Sequence, residues 1–288
     1  MRKIFKYLIT ICLLLTMRFV VAQAPIWSVG TSKTVPYHRG DMGIFMPIRY
    51  GIAEYQEIAV HPLAFFVMPN ISWKINWFPR KKVKKDWFYE KEIYFSSRHA
   101  FNCPTVLLNQ VAQRSIFNLL NDTTEVPLIF AFTNEIMASK WLIPKSSCAP
   151  PDLLLTVKLG CKFAWRGGED FQSIEYPMLY QQTEIYHNRF LWYLGADLDG
   201  HLTNELNFAV DLEFLSLGLV KDWAVEHKAL IVYPFADNWT LCGGYQSSFG
   251  TYPNGYRFWG IPVIDLVYKF RPKKEQQKGL FDPNIKMY

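Results

Sequence analysis

The sequence predicts an all-β fold in which about twelve antiparallel strands, within a range of about 10 to 14, close into one barrel that crosses a membrane. Three observations predict this fold. Half of the 288 residues are apolar and 17% are aromatic. Apolar and polar side chains alternate with a period of two along many segments, as they do on a strand with one apolar face. Several segments reach about 9–11 residues, the length of a tilted strand that crosses a bilayer.

The composition excludes several other classes of protein. Half of the residues are apolar and only 19% are charged, which excludes a disordered chain. The chain has no long run of Ala, Glu, Lys and Leu, as a coiled coil would, and 16 glycines are too few for collagen. The formal net charge is +6. Four basic residues and no acidic residue fall within residues 1–22, so the rest of the chain carries a charge lower by four, or +2. We therefore expect no nucleic-acid partner.

Residues 1–22 have the pattern of a cleaved secretory signal. A basic start at residues 2–6 precedes an apolar run from Tyr7 to Met17, and small residues at 20–22 suit a cleavage site. This run is shorter than the roughly 20 residues that a helix needs to cross a bilayer. We expect residues 23–288 to form one barrel domain. The alternative is an uncleaved anchor or an N-terminal helix of the fold.

The alternation assigns a face to each residue of the predicted strands. Between Leu155 and Trp165 every second residue is apolar, and the intervening positions include Lys158 and Lys162. The same alternation occurs between 206 and 214, and shorter stretches show it at 42–50, 71–77 and 264–270. Aromatic residues often end the apolar face, as amphipathic rings do at a membrane–water boundary.

Turn residues separate several of the segments, for example Asp199–Gly200 and Pro253–Gly255. A segment near 104–121 has a loose helical stripe instead, and we predict a short helix or loop there. The predicted strands lie at residues 41–51, 56–66, 70–78, 87–99, 126–142, 152–165, 173–183, 184–198, 203–215, 223–235, 238–249 and 257–270.

The bulk of the apolar faces favours a membrane barrel over a soluble sandwich. About twelve long strands with large apolar residues would over-fill a sandwich core about 10 Å thick. A sheet in lipid must close because its edges cannot leave backbone groups unpaired, and such a wide barrel needs a polar interior. The alternative is a soluble exported β-protein that exposes the same charges to solvent. The residues predicted to line the lumen are Arg49, Glu57, Lys74, Lys158, Lys162, Asp211, Glu213, Asp265 and Lys269.

The chain resembles bacterial outer-membrane β-barrels, most of all the uncharacterised barrels of Bacteroidota. The resemblance is carried by the signal end Val20–Ala22, the stretches Met46–Gly51 and His61–Lys74, and the closing stretch Pro262–Leu266. It implies an outer-membrane location, contact with outer-membrane lipid, and recognition by the barrel-assembly machinery. That machinery often reads an aromatic residue that closes the last strand. Phe270 takes that place here, and a tail of residues 271–288 follows without strand alternation.

No motif for a cofactor or a metal is present, and we expect neither. The six histidines form no spaced ligand pair such as HExxH, and the cysteines form no CxxC. Four cysteines remain after residue 22, namely Cys103, Cys148, Cys161 and Cys242. They allow three disulfide pairings in an exported protein, and the sequence does not choose among them. Cys161 lies on an apolar strand face, where a free thiol is an equal alternative.

Three functional hypotheses remain open. The first is an outer-membrane barrel that binds or passes a small solute or has a structural role. The second is an outer-membrane enzyme acting on lipid, with Ser97 and His99 on one strand face because they are two residues apart. The sequence shows neither their hydrogen-bond geometry nor a third group that orients them, so a polar cluster at a strand end is the preferred interpretation. The third is the soluble ligand-binding protein.

Overall fold

The structure is a computed structural model of the 288-residue chain. It describes residues 29–77, 93–113, 125–142, 153–169, 171, 173–174, 179–203, 206–217, 222–236, 238–252 and 255–270. The predicted signal at 1–22, the tail at 271–288 and Cys148 lie outside these ranges.

Twelve antiparallel strands form a closed barrel, which confirms the predicted fold class. Each strand pairs with its neighbours in sequence, and the last strand closes the barrel on the first, with Phe270 opposite Gly40. The strands are β1 Gly40–Met42, β2 Ile48–Ala53, β3 Gln56–Val60, β4 Asn70–Asn76, β5 Ile93–Asn102, β6 Ile129–Trp141, β7 Leu153–Arg166, β8 Phe190–His201, β9 Asn207–Leu217, β10 Asp222–Tyr233, β11 Trp239–Tyr252 and β12 Gly255–Phe270.

Short helices lie in three of the connections. They are α1 Pro62–Phe65, α2 Thr105–Gln113, α3 Tyr180–Thr183 and α4 Ile185–Asn188. Helix α2 confirms the helix predicted near 104–121, and Thr105 ties it to β6 by accepting the backbone N–H of Ile129. Within the described ranges, no helix is long and apolar enough to cross a membrane.

The strand predicted at 173–183 is wrong, and so is the beginning of the one predicted at 184–198. Helices α3 and α4 occupy 180–188, and β8 begins only at Phe190. Tyr180, Ile185 and Tyr186 are buried in an apolar cluster with other residues of the barrel end. Burial of these side chains outweighs the period-two pattern, because a short apolar stretch fits either element.

The strand predicted at 41–51 is two strands, β1 and β2, with a turn between them. The carboxylate of Asp265 accepts the backbone N–H groups of Ile44, Phe45 and Met46 at 2.7, 3.1 and 2.8 Å. These donors therefore bind a side chain of β12 instead of a neighbouring strand. The split adds one strand to the prediction and the helices remove one. The predicted count of twelve is therefore correct although these two assignments are wrong.

Apolar side chains cover the outside of the barrel, and charges lie inside it. Trp73 and Leu212 are 42% and 49% exposed, whereas Lys74 is 1% exposed. This is the reverse of a soluble sandwich, in which the apolar residues would be buried and the lysine would be at the surface. The arrangement follows from the period of two, which sends alternate residues to opposite faces.

Outward-facing aromatic rings form two girdles, one near each end of the barrel. At one end Phe101, Phe130 and Trp165 follow one another at ring-centre distances of 5.8 Å. At the other end Tyr268 lies 4.9 Å from Trp239 and 5.2 Å from Phe270. The first girdle lies at the end that carries α2, α3 and α4, which we call the helical end. The opposite end is called the terminal end.

Candidate functional site

The inner face carries a row of ion pairs across neighbouring strands. Nζ of Lys74 lies 3.2 Å from Oε1 of Glu57, and Nη2 of Arg98 lies 2.8 Å from Oε2 of Glu135. The hydroxyl of Tyr193 donates to the same oxygen of Glu135. The four charged residues stand directly opposite one another in the order Glu57 on β3, Lys74 on β4, Arg98 on β5 and Glu135 on β6. Strand register therefore assembles this row, since its members are far apart in sequence.

A glycine makes room for the tyrosine of this row. Gly160 on β7 lies between Glu135 and Tyr193 in the strand register. A Cβ atom at Gly160 would lie 2.1 Å from Cζ of Tyr193, which no real contact allows. The tyrosine ring therefore crosses β7 over the bare backbone to reach the carboxylate on β6.

Lys158 is the centre of a second cluster. Its Nζ lies 2.8 Å from Oδ1 of Asp197 and 3.0 Å from Oδ1 of Asp211, and it also pairs with Glu213. Gly195 on β8 stands between Lys158 and Glu213 in register, and a Cβ there would lie 2.4 Å from Cε of the lysine. The cluster thus places three carboxylates around one cation whose side chain is 2% exposed.

The other predicted lumen residues also lie on the inner face. Nε of Arg49 donates to Asp41 at 2.8 Å, and Lys162 donates to Gln182 of α3. Asp265 binds the β1–β2 turn, and Lys269 stands opposite Asp41. The structure therefore brings most of the nine predicted residues into two pairs and one cluster, while Lys162, Asp265 and Lys269 have other surroundings.

Sequence reasoning missed several inward residues that complete these groups. Arg98 and Glu135 form the central pair of the row, and Tyr193 binds Glu135. They alternate in step with the other inward-facing residues of their strands, so the period-two pattern could have identified them. Their mutual contacts depend on register between strands, which no local pattern encodes.

A segment before β1, residues 29–36, lies inside the barrel at the terminal end. The backbone N–H of Ser32 donates to Oγ of Ser139 at 2.8 Å, and that of Val35 donates to Glu57 at 2.7 Å. Lys74 donates to the carbonyl oxygen of Val29 at 3.1 Å. The ammonium of Lys33 lies 4.3 Å from the ring centre of Tyr94 and 4.7 Å from that of Trp141. We call residues 29–36 the inner segment; it fills the lumen beside β3, β4 and β6.

An apolar cluster fills the helical end. Leu108 and Ala112 of α2, together with Ile185 of α4, are buried there against residues of β6, β8 and β9. Tyr186 of α4 belongs to the same cluster, and burial raises the pKa of its hydroxyl to about 12. Both ends of the lumen are therefore occupied by parts of the chain itself.

A cavity of about 160 Å³ remains between the inner segment and the strands from β8 to β2. Four carboxylates and three cationic groups are among its lining residues. The volume is enough for several water molecules. Its charged residues are Asp41, Arg49, Asp197, Asp199, Asp211, Lys228 and Lys269.

On the outer wall, the structure brings Ser97 and His99 together and adds a third residue. Oγ of Ser97 lies 3.1 Å from Nε2 of His99, and Nδ1 of His99 lies 2.8 Å from Oδ1 of Asn134 on β6. The indole N–H of Trp77 donates to Oγ of Ser97 at 2.9 Å. Asn134 was missed, although it interrupts the apolar outer face of β6 between Phe132 and Ile136, and that interruption is a signal in the sequence.

Metal and disulfide chemistry receive no support from the described ranges. No group of three or more histidine, cysteine, aspartate or glutamate residues is placed there to hold a metal ion. Cys103, Cys161 and Cys242 are free thiols. Cys161 lies on the outer face of β7, half-buried, and Cys242 is buried inside the barrel.

These features define a class of protein, a closed twelve-stranded barrel with an apolar outer face and a charged, occupied interior. No family model matches the chain, and no curated protein matches it. Solved structures similar to it include a "KdgM porin in complex with disordered oligogalacturonate", at 9% identity and a TM-score of 0.37, covering 81% of this chain and 97% of that chain. A second, "KdgM porin", has 10% identity, a TM-score of 0.35 and the same coverage.

Proposed function

We propose that the protein is an outer-membrane β-barrel that holds or passes small charged solutes, with its lumen closed by the inner segment. The membrane location is supported by the apolar outer face and by the two aromatic girdles, which are typical of barrels that span a bilayer. Outer-membrane lipid and the barrel-assembly machinery are its partners in this proposal. The alternative of a soluble exported protein would require water to cover that apolar face.

The charged cavity is the observation that carries the solute proposal. Its lining presents both signs of charge, with Asp41, Asp211, Lys228 and Lys269 among the groups that face it. Charged groups that line a water-filled passage select ions by sign. In the closed barrel, the cavity has room for ions and small polar molecules.

Closure by the inner segment follows from its contacts. The backbone of this segment donates to Glu57 and Ser139, and Lys33 lies over two aromatic rings. A cation over an aromatic ring contributes about 0.5–2 kcal/mol, and a hydrogen bond to a charged group about 1.5–3 kcal/mol. Together with the bond to Ser139 and the bond from Lys74, these non-covalent contacts hold the segment in the lumen in the closed state.

Membrane location is tested by fractionation and by gel migration. Cells that express the full chain should retain it in the outer-membrane fraction, and the purified protein should need detergent. A closed barrel should also migrate differently before and after boiling. A protein that stays in solution without detergent would contradict the proposal.

Conductance in a planar lipid bilayer tests the closure. The full chain should conduct rarely, and Lys33→Ala combined with Val35→Pro should conduct more often, because the first removes the ring contacts and the second removes the N–H that binds Glu57. Lys140→Ala, on the outer face of β6, is the matched control and should behave as the unchanged protein. Adding Lys269→Glu to the open variant should shift its ion selectivity toward cations. Equal conductance of the full chain and the double variant would show that the segment is not a gate.

A further inference from the structure

Three polar side chains interrupt the apolar outer wall at one place. On β5 the outward residues Phe95 and Phe101 flank Ser97 and His99, and on β6 Asn134 lies between two large apolar residues. A polar group in hydrocarbon costs free energy unless it is hydrogen-bonded, and strands close a barrel equally well with apolar residues at these positions. A closed barrel therefore does not require these three polar residues.

The hydrogen bonds within this group all donate in the same direction, from Ser97 to His99 and from His99 to Asn134. Asn134 Oδ1 accepts from Nδ1–H of His99 at 2.8 Å, which leaves the lone pair on Nε2. That nitrogen lies 3.1 Å from Oγ of Ser97 and can accept its proton. A hydroxyl, an imidazole held in this tautomer and an orienting group are the parts of an activated serine nucleophile.

A third hydrogen bond fixes the direction of the Ser97 hydroxyl. The indole N–H of Trp77 donates to Oγ of Ser97 at 2.9 Å. This donor takes up one lone pair of Oγ, so the O–H of Ser97 remains free to donate to Nε2 of His99.

The depth of the group indicates the substrate. His99 lies two residues and Ser97 four residues inside Phe101, a member of the girdle at the helical end. For a strand that rises about 3.3 Å per residue at a tilt of about 40°, these separations are about 5 Å and about 10 Å along the bilayer normal. The girdle marks the membrane–water boundary, so the group extends from the headgroup side into the outer part of the acyl-chain layer.

We propose that Ser97, His99 and Asn134 form a hydrolytic site on the outer wall that cleaves the carboxylic ester of a lipid acyl chain. The proposal goes beyond solute passage and uses the opposite face of the wall. Ser97 and His99 are its catalytic residues, and Asn134 is a positioning residue.

The reaction takes place in two steps, with water as the second substrate. Oγ of Ser97 attacks the ester carbonyl carbon while its proton moves to Nε2 of His99. The bond from that carbon to the alcohol oxygen breaks, and His99 gives its proton to the alcohol, which leaves as the deacylated lipid. Water then attacks the acyl-serine ester and gives a proton to His99. The fatty acid leaves as this proton returns to Ser97.

The test measures fatty acid released by the full chain in mixed micelles of detergent and lipid. One arm uses diacyl phosphatidylethanolamine and the other lipopolysaccharide, since both carry acyl esters. We expect release in at least one arm, and the active arm identifies the source of the ester. Ser97→Ala should lower the rate by about 10³-fold or more. Release in neither arm, or equal rates for Ser97→Ala and the unchanged chain, would overturn the proposal.

Ser247→Ala is the matched control. Ser247 also faces outward and stands opposite a histidine, His227, in the strand register, but its hydroxyl donates to the backbone oxygen of that residue at 3.5 Å. This variant should keep the full rate. Heat-modifiable gel migration of each variant checks that the barrel is folded, so a loss of rate cannot be attributed to misfolding. This test does not depend on conductance, so the two proposals can fail separately.

Two measurements distinguish a positioning role of Asn134 from a purely structural one. Asn134→Ala should lower the rate by about 10-fold or more because His99 loses its orienting acceptor, and Asn134→Asp, which restores an acceptor, should recover part of it. A fluorophosphonate probe should label Ser97 in the unchanged chain and should label Asn134→Ala more slowly, as judged by mass spectrometry of the peptides. Labelling of other serines with Ser97 unmodified would refute the assignment of the nucleophile.

Discussion

Removing the cation at the centre of the Lys158 cluster should destabilise the barrel strongly. Lys158→Met leaves three carboxylates near one another on β8 and β9 without a positive partner. The side chains of Lys158 and Asp197 are 2% and 4% exposed, whereas those of Asp211 and Glu213 are 23% and 22% exposed. Loss of one partner of a buried pair costs about 3–5 kcal/mol. Water reaches two of the three carboxylates, so we expect the lower value, about 3 kcal/mol.

Urea unfolding of the protein in lipid vesicles measures this loss, with the unheated gel band as the folded signal. A change of about 3 kcal/mol lowers the folding equilibrium constant more than about 100-fold. Lys140→Met, at an exposed position on the outer face, should change stability by less than about 0.5 kcal/mol. Adding Asp197→Asn to Lys158→Met should restore part of the loss. A loss below about 1 kcal/mol for Lys158→Met would refute the view that this lysine holds the carboxylates together.

Two further predictions concern packing and the orientation of the strands. Gly160→Ala should destabilise the barrel by about 1–3 kcal/mol, because its Cβ meets the Tyr193 ring, while Gly243→Ala, with nothing within 4 Å, should be almost neutral in the same unfolding assay. A membrane-soluble maleimide should label Cys161 of the folded protein and spare Cys242, because the first thiol faces outward and the second is buried inside. Labelling of Cys242 at the same rate would contradict the assigned faces.

The faces of the strands were predictable because the alternation of side chains is a local property. Lys158 and Lys162 are six and two residues before Ala164 on one strand, and the alternation of faces alone places them on the same side. The number and bulk of the apolar residues indicated which face turns inward, namely the charged one. The same parity on β5 would have placed Arg98 inside and His99 outside.

The contacts within the lumen could not be predicted in this way. Lys158 meets Asp197 and Glu213 because β7, β8 and β9 pair in one particular register, and a shift by one residue would separate them. The group on the outer wall depends likewise on the pairing of His99 with Asn134 across β5 and β6. Ser97 and His99 were candidates from their spacing, but the orienting residue is 35 positions away from the histidine.

The sequence by itself determined that the chain forms strands, that they close, and which side of each strand is apolar, since these depend on residue order over a few positions and on the cost of bare edges in lipid. Only the tertiary structure decided that residues 180–188 turn inward as helices and that residues 29–36 enter the lumen. Residues 29–36 bind Glu57 and Ser139, and residues 180–188 bind Asp222 and Glu226, which lie on other strands. Such contacts exist only after the barrel has formed.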